Sequence, residues 1–432
     1  MLNKKYTAIR TPVLAILATA LVCPGTWGQT FKILHSFGNT GDGAPPQFGQ
    51  VFDGQGNLYG VTDYGPAGDG CLGNEGCGSV YQLKPNSDGT WTETVIHVFS
   101  DSGGTYPSSS LIRDSQGNLY GSASGQAHYP DAIFQLAPNS DGTWTESALY
   151  QFPPGAPEGN IPGELTFDAA RNIFGTTRFG GVNETGTVFS LNRSAGWQES
   201  LLLTFDGYPY TSGLSPFGAI TLDATGTLYG TTLEGGTHDW GVFYKLAQQG
   251  GLWQQTVLYN FAGGSDGNAP WGVIPGPDGS LYGITQSGGN LGNVFCLIGC
   301  GTVYKVTPNA DGTWTKTTLY AFRGGHHDGA DPVEHLTFDH AGNLYGITAA
   351  GGNSGPSSSC YPYLLSGCGT VFKLTPSSGG QWTESVVHFF TGGSDDGFNP
   401  DSPLVIDGAG NLYGTTAEGG LYNSGVAYEI TP

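Results

Sequence analysis

One phrase, Asn-Leu-Tyr-Gly, recurs along this chain and limits what it can fold into. It stands at residues 57–60, 118–121, 343–346 and 411–414, with variants at 172–175, 227–230 and 280–283. Seven copies at intervals of roughly 60 residues are the mark of a solenoid, a propeller or an array. Each unit holds four strand signals separated by turn chemistry. Strand a follows a Pro and runs to an Asp, as in residues 332–339, and strand b is the Asn-Leu-Tyr-Gly element. Strand c reads Gly-Thr-Val-Phe-Lys-Leu-Thr-Pro at residues 369–376, and strand d opens on Trp91, Trp144, Trp197, Trp253, Trp314 or Trp382. With 74 Gly and 26 Pro in 432 residues, the chain is rich in turns, and its 12% aromatic content is enough to fill a core.

The phase of the repeat carries the strongest inference. Residues 31–37 form a d-type strand before any a strand, and residues 425–432 form a c strand with no d strand after it. The leftover strand at the start can complete the last unit, which closes a ring and removes its edges. The expectation is an all-β, seven-bladed β-propeller of four-stranded antiparallel blades, its last blade closed by the N-terminal strand. The repeat wording resembles the Gloeo–Verruco (GloVer) tandem-repeat family of exported bacterial proteins, over essentially all of residues 31–432. That resemblance implies secretion and propeller-like repeats, and no established activity.

Lys4, Lys5 and Arg10 precede an uncharged stretch over residues 11–23 and the small residues around Gly28. This pattern predicts a secretory signal over 1–28 and one propeller domain over 29–432. A lipoprotein reading centred on Cys23 is opposed by Val22, bulkier than the small residue usual before a lipidated Cys. The expected location is periplasmic, cell-surface or secreted, without a transmembrane segment, and the expected state a monomer. Net charge is −21, from 35 acids against 14 Lys and Arg. Such a surface repels nucleic acid and anionic membranes. The remaining cysteines fall in b–c loops, and sequence proximity predicts disulfides Cys71–Cys77, Cys296–Cys300 and Cys360–Cys368, with zinc ligation as the rival reading.

Loop length varies on one rim, formed by the b–c and d–a loops, and repeat proteins bind on their variable face. The d–a loops share an acid followed by Gly-x-x-Pro, at Asp42, Glu158, Asp266, Asp328 and Asp396. Those carboxylates either fix their own turns or suit calcium, the one ion the sequence brings forward and no certain cofactor. Small or apolar residues stand four before the terminal position of strand a, except Glu164 and His335. With Glu334, Arg323, His326, His327 and Asp328, they suggest three alternatives. One is a metal site at His326, His327 and Asp328; another is general acid–base catalysis by His335, Glu334 and Glu164, with Arg323 or Arg178 neutralising a uronate; the third is a solvated loop. Aromatics expected on the same face include Tyr64, Phe179, Tyr208, Tyr210, Trp240, Trp271, Tyr361, Tyr363 and Phe398, suited to stacking on sugars or to anchoring loops. The leading expectation is a non-catalytic binding module for an extracellular glycan or protein, the alternative a polysaccharide lyase or glycoside hydrolase working in the central funnel.

Overall fold

The Asn-Leu-Tyr-Gly phrase is an a–b turn with its own acid. In blade 1, strand a (Ala44–Phe52) leads to Asp53, and strand b (Leu58–Tyr64) leaves it. Asp53 accepts the main-chain N–H groups of Gln55 and Asn57 at 2.8 and 2.9 Å, the Asn57 amide at 2.7 Å and the Tyr59 hydroxyl at 3.1 Å. Burial pushes the Asp53 carboxyl up, and these donors overcome it and hold it below the usual carboxylate range. The same set recurs at Asp114, Asp339 and Asp407. The motif Gly is a matter of room: a Cβ on Gly60 would lie 2.3 Å from the Tyr81 hydroxyl of strand c.

The computed structural model describes residues 29–66, 76–100, 105–125, 130–153, 160–292, 294, 296–352, 360 and 367–432. The expected signal segment 1–28 lies outside them. The repeats form seven antiparallel sheets, each of strands a to d in order, arranged as a seven-bladed β-propeller. Closure follows the phase of the repeat. The N-terminal strand Thr30–Ser36 pairs antiparallel with Val426–Thr431, Thr30 opposite Thr431, as strand d of blade 7.

Strand a departs from the single run read in the sequence. It breaks in blades 4 and 7, into Leu214–Pro216 and Thr221–Leu222 and into Gly397–Pro400 and Val405–Ile406. In blades 1, 3, 5 and 6 the pairing shifts register at the same place. The break falls where the a strands converge on the axis. There Gly49 meets Pro403 and Ser110, and Gly218 meets Gly272, so closely that a Cβ on either glycine would clash. Crowding at the axis breaks the ladder.

Neighbouring blades are stitched by the Gly-x-x-Pro element. The residue before the Pro has positive φ in blades 2 to 7: Tyr106, Ile161, Ser215, Ala269, Asp331 and Asn399. In five of these its N–H crosses the seam to a main-chain carbonyl, at Cys77, Thr185, Trp240, Cys300 and Cys368, over 2.7–3.3 Å. In blade 3 Ile161 donates to the Asp131 carboxylate instead. The Pro ring then covers the Gly that opens the preceding strand c, so that a Cβ on Gly301 would lie 2.3 Å from Pro332 Cδ. The apolar core is correspondingly divided into seven clusters, each spanning one seam. Strand-d tryptophans reach across as well: Trp91, Trp144, Trp197, Trp314 and Trp382 lie 5.6–6.1 Å from Tyr413, Tyr59, Tyr120, Tyr229 and Tyr282 of the preceding blade.

Candidate functional site

Two rim loops carry the expected disulfides Cys296–Cys300 and Cys360–Cys368, with Cα atoms 5.2 and 5.5 Å apart. Cys77 is buried at the Gly78 hinge, and Cys71 lies outside the described residues. The cysteines that precede strand c therefore sit at the seam carbonyls, so the staples hold the stitches in place.

The rim acids are turned inward. Asp396 accepts from Thr391 N–H and Oγ1 and from its neighbour Gly397 N–H, each at 2.8 Å, with His388 at 3.2 Å. Asp328 accepts from Tyr320, the Arg323 N–H and Gly329 N–H at 2.7–2.8 Å, and Asp266 from Ala262 N–H and Tyr259. Each fixes its own turn. Glu158 lies outside the described residues. The His326 and His327 rings stand 6.4 Å apart beside Asp328. Among the described residues no three His, Cys, Asp or Glu side chains gather into a metal-binding group.

Of the residues expected to carry chemistry, Glu164, Glu334 and His335 do come together. They line a void at the axis with Phe48, Ser108, Phe217 and Trp271. Its volume is about 10 Å³, room for one water. Glu164 Oε1 accepts from Ser110 N–H and Oγ at 2.8 and 2.9 Å. Burial raises both carboxyls, and Glu334 is pushed further by the charges of Glu164 and Asp401. Burial lowers the His335 imidazole to about 4, so it is neutral at pH 7. Arg323 stands apart, in the loop beside Asp328 and Glu384.

A band of aromatics leads from the rim to this void. The Arg178 guanidinium lies over the Phe179 ring at 5.3 Å and over Phe217 at 5.4 Å, and Phe217 stands edge-on to Trp271 at 5.0 Å. Two donors along it, Arg178 Nε and Trp271 Nε1, are buried without an acceptor. Sequence reading marked Phe179 and Trp271 as sugar-stacking candidates and missed Phe217. Its signal was available, since the residue after the strand-a Pro is aromatic only at Phe217 and Trp271. Elsewhere on the face, Trp240 and Tyr208 are exposed. Tyr64 lies edge-on to Tyr106 beside an open cleft of about 490 Å³. Tyr361 and Tyr363 lie outside the described residues. Phe398 corrects the sequence reading: it is 5% exposed and part of the seam core of blades 6 and 7.

The repeat model described as the Gloeobacter/Verrucomicrobia repeat matches residues 161–359 and 298–432, more than half of the chain. The chain belongs to the Gloeobacter/Verrucomicrobia repeat family. No curated protein matches it. Among solved structures, this repeat protein is similar to a protein of unknown function from Dyadobacter fermentans, at 13% identity and TM-score 0.44, over 93% of this chain and 98% of that one. Among the described residues the repeat protein has no helix long and apolar enough to cross a membrane.

Proposed function

We propose that this is an exported, non-catalytic binding propeller that takes an extracellular glycan along the band from Phe179 to Trp271. The observation that carries the reading is the pairing of this band of aromatic rings with unused buried donors. Aromatic faces suit the C–H faces of sugars, and Arg178 Nε and Trp271 Nε1 are N–H groups that a hydroxyl or carboxylate oxygen would satisfy. Export is supported by the basic, then apolar, N-terminal segment and by disulfides on the rim. The catalytic alternative asks a sugar to reach Glu164, Glu334 and His335, whose void admits only one water.

The test follows depletion of the protein onto insoluble neutral and uronate-containing glycans, with reducing and unsaturated ends assayed in the same tubes. Retention without products is expected, lost at least tenfold in Arg178→Ala and Trp271→Ala. Products that disappear in His335→Ala would overturn the reading in favour of an enzyme. Retention on no glycan would turn the search to a protein ligand on the same face.

A further inference from the structure

One position of strand b can be compared in all seven blades. Three residues after the motif Gly stand Asp63, Ser124, Arg178, Leu233, Gln286, Ala349 and Ala417. Six of the seven blades do without a cation there, so the propeller does not require one. Arg178 also makes no use of its charge within the protein. Its guanidinium forms no ion pair or hydrogen bond with any described residue, and of its nitrogens only Nε is sealed from solvent. Cations are scarce in this chain, 14 Lys and Arg against 35 acids, and several others have internal partners. Lys316 meets Asp266 at 2.8 Å, Lys305 meets Asp278 at 3.1 Å, and Arg193 donates to Gln116 at 3.1 Å.

The surroundings of Arg178 hold it without satisfying its donors. The Phe179 and Phe217 rings lie 5.3 and 5.4 Å from the guanidinium carbon; their faces attract the cation but bring no oxygen to its N–H groups. Trp271, edge-on to Phe217 at 5.0 Å, adds a second donor, Nε1, buried without an acceptor. This residue is singular too, since the position after the strand-a Pro is Trp only in blade 5. Both features fall in blades 3 to 5, whereas blade 1 sets the Asp63 carboxylate at the Arg178 position. The ring therefore offers an anion one favourable side.

We infer that the glycan proposed above carries a carboxylate, and that Arg178 binds it. The inference rests on the glycan reading and adds the charge of the sugar. The two Nη groups reach solvent and match the two oxygens of a carboxylate in a bidentate pair, the arrangement in which a guanidinium holds this group most firmly. A net charge of −21 does not oppose such a ligand. Repulsion from surface acids beyond about 8 Å is largely screened at physiological ionic strength, whereas contact at Arg178, partly withdrawn from water between two rings, is screened much less.

The test measures Kd by depletion of the purified protein onto a panel of uronate-containing polysaccharides. Each is used in two forms, native and with its carboxyls reduced to primary alcohols, beside neutral and sulfated polysaccharides. Wild type should bind a native polymer about tenfold or more tighter than its reduced form. Arg178→Gln should bind both forms alike, near the wild-type value for the reduced polymer. Arg178→Lys should restore only part of the difference, because an ammonium lacks the fork. Trp271→Phe should weaken both forms by the same factor and leave their ratio unchanged. Equal Kd for native and reduced polymers on wild type would overturn the carboxylate and leave the glycan reading standing. Retention of no polymer, neutral or acidic, would overturn both. Sulfated polymer bound as tightly as uronate would overturn the carboxylate as well, by revealing a site for oxyanions in general. The comparison of native with reduced polymer needs no variant, so it decides even if Arg178→Gln does not fold.

Discussion

A histidine in the wall of a narrow channel loses its proton early, and His335 does so near 4 because burial disfavours its cation. The folded state then holds this proton more weakly than the unfolded chain. The stability it contributes is complete above the free-histidine value of 6.5 and is lost as pH falls toward 4. His335→Gln should flatten the acid side of a Tm-against-pH curve between those limits, and an unchanged acid side would contradict it. Glu93 and Glu384 run the opposite way. Burial and the charge of Asp42 or Asp328 raise each to about 7. Their contribution is therefore full below 4.5 and is lost as pH rises through 7. The double variant Glu93→Gln, Glu384→Gln should be less sensitive to pH between 5 and 8 than wild type, by the same Tm measurement.

At the level of strands and turns, the blade-to-blade stitch depends on glycines that cannot be replaced. A Cβ on Gly301 would lie 2.3 Å from Pro332 Cδ, at φ +96°. Gly301→Ala must therefore push blade 6 away from blade 5, at about 3 kcal/mol in denaturant unfolding. Gly312, in an exposed c–d turn with nothing within 4 Å, carries only the strain of its positive φ, and Gly312→Ala should cost about 1 kcal/mol. Equal losses would show that the stitch adds nothing. This contrast also marks what the sequence could reveal. The a–b turn was legible because its acid, amide and hydroxyl lie within six residues of each other. The stitch was not, because Cys300 and Asp331 meet only across a seam. Phe398 read as a rim aromatic because it follows a loop acid, yet the turn made by Asp396 sends its ring into the core.

For the whole molecule, the apolar core of the described residues is divided among seven clusters, and stability resides in the seams they span. Closure was legible from phase alone because a missing strand at one end and a spare strand at the other can satisfy only each other. The axis was harder to read. Residues chosen for catalysis turned out to surround a space the size of a water, since narrowing depends on how near the a strands approach and no local pattern encodes that distance. Thr30 lies directly opposite Thr431, and this pairing has a consequence for connectivity. The latch that shuts the ring is interchangeable among blades. A chain opened in the exposed turn at 309–312 and joined from 431 to 30 by a short linker would make blade 5 the composite one, with its d strand first and its c strand last. Such a circular permutant should keep a Tm within a few degrees of wild type while altering the order in which blades assemble. Its collapse would mean that the ring remembers where its chain begins.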